Sequence, residues 1–148
     1  MPKLRFERHA PFPPEDMLSL VADVEAYPDF VPNCSRMDVA RDRINPDDDY
    51  RARMHIRFGP ISQAYTSQVH IDRQARTIAA RAIDGPFSYL RSMWHFDAEG
   101  EGTKVVFEIE FGFSNPLIAR AAEPAFAAKQ REILDAFMVR AGRLHEAG

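Results

Sequence analysis

At 148 residues, 45% hydrophobic and 28% charged, the chain has the size and composition of one soluble domain, residues 1–148, with a single core. A formal net charge of −3 excludes a global signature of nucleic-acid binding, and DNA is not an expected partner, although a local basic patch is compatible with it. One cysteine, Cys34, excludes an internal disulfide and fits a reducing compartment, and Met1 to Ala10 holds neither a signal-peptide core nor a membrane span. The expected location is the cytoplasm, with any membrane contact peripheral, at the inner membrane.

In chain order, Leu4 and Phe6 alternate with charged residues in a first strand that stops at Pro11, Pro13 and Pro14. A helix follows: Pro14 suits its first position, Glu15 and Asp16 favour the positive end of its dipole, and Met17, Leu18, Val21 and Val24 form its buried stripe. Its expected end is near Tyr27, before Pro28, with a short helical turn capped by Asp29 and closed by Pro32. Six strands should come next. The second, Ser35 to Ile44, leads to the polar turn Asn45-Pro46-Asp47-Asp48-Asp49. The third alternates most clearly, with Tyr50, Ala52, Met54, Ile56 and Phe58 on one face and Arg51, Arg53, His55 and Arg57 on the other. The fourth spans Ile61 to Asp72 and the fifth Arg76 to Ile83, with Asp84-Gly85-Pro86 turning the chain. The sixth runs from Ser88 to Phe96. After a loop over Asp97 to Thr103, the seventh directs Val105, Phe107, Ile109, Phe111 and Phe113 inward.

Asn115 is then a suitable N-cap and Pro116 a suitable first residue for a helix of roughly 30 residues, about 45 Å long at 1.5 Å per residue. Leu117, Ile118, Ala121, Ala122, Ala125, Phe126, Ile133, Leu134, Phe137, Met138, Ala141 and Leu144 recur at helical spacing as its expected buried face. Pro124 should kink or interrupt it. Short connections imply an antiparallel meander, and the terminal helix is the only element long enough to cover its apolar face. The expected fold is therefore α+β, a helix grip in which a seven-stranded antiparallel sheet wraps the long C-terminal helix, with two short helices after strand 1.

The stretch Val21-Ala22-Asp23-Val24-Glu25-Ala26-Tyr27-Pro28-Asp29-Phe30-Val31-Pro32-Asn33-Cys34 resembles the signature of the coenzyme Q-binding START-like family, a branch of the polyketide cyclase and lipid-transport superfamily. Gly85-Pro86-Phe87 with Leu90, Trp94 and Phe96 is similar to its second block, and Phe111, Phe113, Asn115, Pro116 and Leu117 with Ala136, Phe137 and Arg140 to its third. The resemblance covers nearly the whole chain. It implies a START/Bet v1-like fold with an apolar cavity and a polyprenylated quinone, ubiquinone, as bound ligand in support of respiratory electron transport. A bacterial branch with the same motifs is a toxin that binds the large ribosomal subunit and blocks subunit association, which makes the ribosome the alternative partner.

Under the first reading, the residues expected around an isoprenoid quinone are Met54, Phe58, Gln63, Tyr65, Ser92, Trp94, Phe107, Phe111, Phe126, Phe137 and Met138, rich in aromatics and adaptable methionine. The same side chains could simply fill a core. Gln63, Ser67 and Ser92 share the apolar phase, and either bond the quinone carbonyls or end in water. Tyr27, Pro28, Phe30, Val31 and Pro32 form either a plug at one end of the fold or a lid that touches a membrane. Arg51, Arg53 and Arg57 make a basic outer face that is either merely solvated or drawn to lipid head groups or ribosomal RNA.

Catalysis is not expected. His9, His55, His70, His95 and His145 are scattered without the spacing of a metal site, no nucleophile elbow occurs, and Gly100-Glu101-Gly102 lacks the third glycine of a dinucleotide fingerprint. No metal and no cofactor are expected, ubiquinone being a ligand.

Overall fold

A computed structural model describes residues 3–58 and 61–147; the side chains of Phe58, Ile61, Glu146 and Ala147 lie outside the described set. Strand β1 (Lys3–Ala10) precedes helix α1 (Pro14–Ala22) and a 3-10 helix (Val24–Asp29). Six strands follow: β2 (Cys34–Arg41), β3 (Asp49–Phe58), β4 (Ile61–Asp72), β5 (Thr77–Ala82), β6 (Phe87–Glu99) and β7 (Gly102–Phe113). Helix α2 (Pro116–Ala147) ends the chain. The strands form one antiparallel open sheet in the order β1-β7-β6-β5-β4-β3-β2. This is the expected START/Bet v1-like helix grip.

Four boundaries differ from expectation, each for a local reason. Helix α1 stops at Ala22 because Asp23 leaves helical backbone (φ −82, ψ 69), and two tyrosines then satisfy its last carbonyls. The Tyr50 hydroxyl donates to the Ala22 carbonyl at 2.8 Å and the Tyr27 hydroxyl donates to that of Val21. The short helix therefore lies at Val24–Asp29, before the place expected, and runs through Pro28. Strand β2 ends at Arg41 rather than Ile44, because the Asp42 carboxylate accepts from the amides of Ile44 and Asn45 at 3.0 and 2.9 Å and turns the chain early. Strands β6 and β7 extend to a Glu99↔Gly102 pair, leaving Gly100-Glu101 as the whole hairpin loop in place of the longer one expected; Gly100 supplies its positive φ of 60.

Asn115 caps α2 as expected, its Oδ1 accepting from the Leu117 amide at 2.9 Å. Pro124 does not interrupt the helix: helical backbone is continuous from Pro116 to Ala147. Both Pro124 and Arg120, whose carbonyl loses its amide, are exposed. Only part of the expected apolar face is buried. Gln130, Leu134, Phe137 and Ala141, at helical spacing, face the core. Leu117 is 80% exposed and Ile118 50%, and Ala121, Ala125 and Leu144 are exposed too. The closest packing of α2 is on β7, β1 and α1, one side of the sheet, so it does not lie along the middle strands. Its first half thereby overhangs, and the sheet beneath β3–β6 is left with space above it.

Candidate functional site

That space is a cavity of about 130 Å³. Its floor is made of small side chains that the strand register brings together: Ala52 opposite Ser67 opposite Ala82, and beside that row Val69 opposite Ala80 opposite Ser92 opposite Ile109. Its walls are large: Tyr27, Tyr65, Trp94, Phe107 and Phe137. A row of Ala and Ser under a helix that has shifted to one side cannot fill the volume that Leu or Phe would fill, and the interior stays partly hollow.

Trp94, Phe107 and Phe137 pack tightly at one flank, with ring centroids 4.4 Å apart for Trp94–Phe107 and 5.3 Å for Trp94–Phe137. Phe137 also meets Tyr27 at 5.1 Å and Phe30 at 5.2 Å, both edge-on. Of the residues expected around a ligand, Met54, Tyr65, Ser92, Trp94, Phe107 and Phe137 line the cavity. The others do not. Gln63 is exposed near the start of β4, outside the space α2 overhangs, and Phe111, Phe126 and Met138 face elsewhere. Phe111 and Phe126 (4.5 Å apart) close with Phe87 and Phe113 into a second aromatic cluster, which receives the one large side chain that docks the first half of α2. Phe58 is outside the described side chains.

Tyr50 and Val21, expected to face inward but not expected around a ligand, also line the cavity, as does Gln130, which the pattern passed over. Gln130 was legible in principle, since it precedes Ile133, Leu134 and Phe137 by three, four and seven positions. It is buried, with its amide donating to the Phe126 carbonyl at 3.3 Å. Gly85, in the second sequence block, has φ +100 and lies so close to β4 that a Cβ would stand 2.6 Å from that of Tyr65, so it sets the wall's position.

The polar groups of the cavity are few and underused. Tyr65 donates only to the Met54 thioether, at 3.7 Å, and the hydroxyls of Ser67 and Ser92 have no side-chain hydrogen bond among the described residues. Burial pushes the Tyr65 hydroxyl up to about 12 and that of Tyr27 well above the usual range, so both stay protonated donors. Among the described residues, no aspartate, glutamate, histidine or lysine lines the space. Among the described residues no cluster of three metal-ligating side chains exists.

Around this cavity, the expected lid is mostly structural. Val31 is 5% exposed and part of the core, which excludes it from a membrane contact, and Tyr27 is tied to Val21. Phe30 packs half-buried on Phe137, as a plug would, while Pro28 is exposed. Cys34 is buried, and burial raises its thiol to about 11, so it is an inert apolar group at neutral pH. Arg51, Arg53 and Arg57 are exposed on the opposite, outer face of the sheet. Arg53 pairs with Asp84 at 3.3 Å, and Arg51 Nε donates to Gln68 at 3.2 Å. No described helix is long and apolar enough to cross a membrane.

Residues 10–138 match the family model described as polyketide cyclase/dehydrase and lipid transport. The chain belongs to that START-like family. A family relative from Pseudomonas aeruginosa, the ribosome association toxin RatA, is 30% identical over 136 residues, 91% of this chain and 92% of the toxin. A mitochondrial coenzyme Q-binding protein of Xenopus laevis is 28% identical over 136 residues, 88% of this chain but 54% of that longer protein. The fold matches that of a START superfamily protein of Mycobacterium smegmatis with TM-score 0.82 at 16% identity, over 96% of this chain and 98% of that one.

Proposed function

We propose that the chain binds the ring end of a polyprenylated quinone of the ubiquinone type in the cavity between sheet and α2, as a lipid chaperone or carrier for respiratory electron transport in the cytoplasm or at the inner membrane surface. The observation that carries this reading is the set of weakly used or unused donors, Tyr65, Ser67 and Ser92, in a largely apolar space. A quinone is an apolar ring with two carbonyl acceptors, and donors with weak or absent protein partners in a largely apolar cavity gain most from such a guest. The relationship to a coenzyme Q-binding protein supports it. On this reading the protein works by burial rather than catalysis, in keeping with a lining that, among the described residues, holds no aspartate, glutamate, histidine or lysine.

The volume limits what enters. About 130 Å³ is close to the roughly 150 Å³ of an engineered cavity that takes one benzene, so a bare ring fits, whereas the methoxy groups of a ubiquinone ring and the tail require the cavity to widen. Each isoprene unit left in water costs on the order of 4 kcal/mol at about 0.8 kcal/mol per methylene-sized group. A long tail therefore stays in the membrane or displaces the overhanging first half of α2. The chain's single tryptophan, Trp94, lines the cavity, so quinone binding should quench its fluorescence. Saturable quenching by a short-tailed ubiquinone is expected, with Ala80→Leu weakening it roughly ten-fold by filling the floor without lowering the melting temperature. Absence of saturable quenching, with no quinone in an organic extract of protein purified from its host, would overturn the proposal.

A second reading, ribosome association, draws on the outer face as well as on the toxin relatives. Arg51, Gln68, Arg81 and Arg91 stand opposite one another across β3, β4, β5 and β6. Gln68, Arg81 and Arg91 line a shallow groove of about 510 Å³. Arg81 stands directly opposite Arg91, whose own charge is met by Glu110 at 3.9 Å, so Arg81 is the cation of this row that a phosphate backbone would engage first. Reversal of Arg51, Arg81 and Arg91 to Glu should abolish any accumulation of free ribosomal subunits on overexpression; unchanged gradient profiles with the wild-type protein would remove this reading.

A further inference from the structure

A second cleft, of about 350 Å³, lies between the 3-10 helix and the C-terminal half of α2. Its walls are Asp29 and Phe30 on one side and Ala136, Val139, Arg140 and Arg143 on the other. The four α2 residues are spaced i, i+3, i+4, i+7, so they form one stripe turned toward the loop. The rings of Phe30 and Phe137, 5.2 Å apart, pack between this cleft and the interior cavity.

Most arginines of this protein that lie near a carboxylate use it: Arg5, Arg8, Arg36, Arg41, Arg53, Arg73 and Arg91 all do. Arg140 and Arg143 form no ion pair or side-chain hydrogen bond among the described side chains, Asp29 included. Arg140 Nε is buried with no hydrogen-bond partner, and the guanidinium carbon sits 5.2 Å from the centre of the Phe30 ring. The ring face compensates the charge but offers no in-plane acceptor, so the donor edge of the guanidinium is left unspent. A half-buried arginine held in place by an aromatic ring, with a second arginine one turn along, is the arrangement that takes an oxyanion by forked hydrogen bonds.

We propose that this cleft is an anion site, in which Arg140 and Arg143 hold a phosphate group and Phe30 and the exposed Val139 supply an apolar flank. The site is independent of the cavity behind Phe137, so its test can fail without touching the quinone reading.

The experiment follows the Arg140 Nε–Hε resonance of 15N-labelled full-length protein, titrated at constant ionic strength with inorganic phosphate and with dihexanoyl phosphatidylglycerol below its micelle concentration. A saturable shift that weakens roughly ten-fold in Arg143→Gln is expected. Arg143 is exposed, so that variant leaves the fold intact whatever becomes of Arg140→Gln. Tighter binding of the lipid than of phosphate identifies a lipid head group as the source, and equal binding identifies free phosphate; both support the site. No shift with either probe, or a shift matched by sodium chloride or unchanged in Arg143→Gln, overturns it.

Discussion

The two halves of α2 carry apolar residues at the same helical spacing and have opposite fates. From Gln130 onward the inner face of the helix is sealed, although Val139 and Leu144 on its other sides stay exposed: Leu134 and Phe137 are 0% and 1% exposed, and Phe137 is ringed by Tyr27, Phe30 and Trp94. Before that, Leu117 and Ile118 stand in water, and Phe126 is the one large side chain holding the helix to the aromatic cluster of Phe87, Phe111 and Phe113. Helical periodicity is the same in both. The difference teaches that an apolar stripe reports what a helix can bury, whereas the surface within reach decides what it does bury.

The largest test of that contrast is a pair of truncations. Phe137→Ala should cost about 3–5 kcal/mol in urea unfolding, the range for emptying an aromatic core site, whereas Leu117→Ala should cost under about 0.5 kcal/mol. Comparable losses would mean that the first half is docked after all. Pro124→Ala restores the missing hydrogen bond to the Arg120 carbonyl and should raise stability, by at most about 3 kcal/mol, with the gain showing as slower amide exchange in residues 120–128 only. Exchange slowed equally beyond Gln130 would show the halves to be one cooperative unit.

Alkaline pH probes the sealed side. Burial lifts Tyr50 to about 12 in the folded protein, against about 10 when unfolded. The native state then holds its proton when the unfolded chain has lost it, so stability is undiminished below pH ~10 and falls between pH ~10 and ~12. Tyr50→Phe should lessen that fall in a melting-temperature series, the remainder coming from the raised Tyr27 and Tyr65, at the cost of the bond to Ala22. The smallest effect is at the helix end, where His145 stacks on Phe12 at 3.8 Å. The Ala141 carbonyl, and after it Asp16, raise its titration above the ordinary value. Its contribution is complete below pH ~6.5 and fades as pH rises through the raised folded value. An NMR titration should find the midpoint above 6.5 and lower in Asp16→Asn.

Periodicity and punctuation alone determined much of this protein: seven strands, the capped start of α2 at Asn115-Pro116, and the inward phase of Met54, Tyr65, Trp94 and Phe107. These depend on contacts a few residues apart, which a linear pattern encodes. The tertiary structure decided where α2 lies across the sheet, and with it which inward residues meet a hollow. Gln63 and Ser67 share one strand phase, yet the first is in water and the second on the cavity floor, because the helix and α1 roof only part of β4. No spacing joins Arg140 to Phe30, which comes far earlier in the chain and meets the guanidinium only because the fold lays it there. Burial is a sum over distant neighbours, and no local spacing carries it.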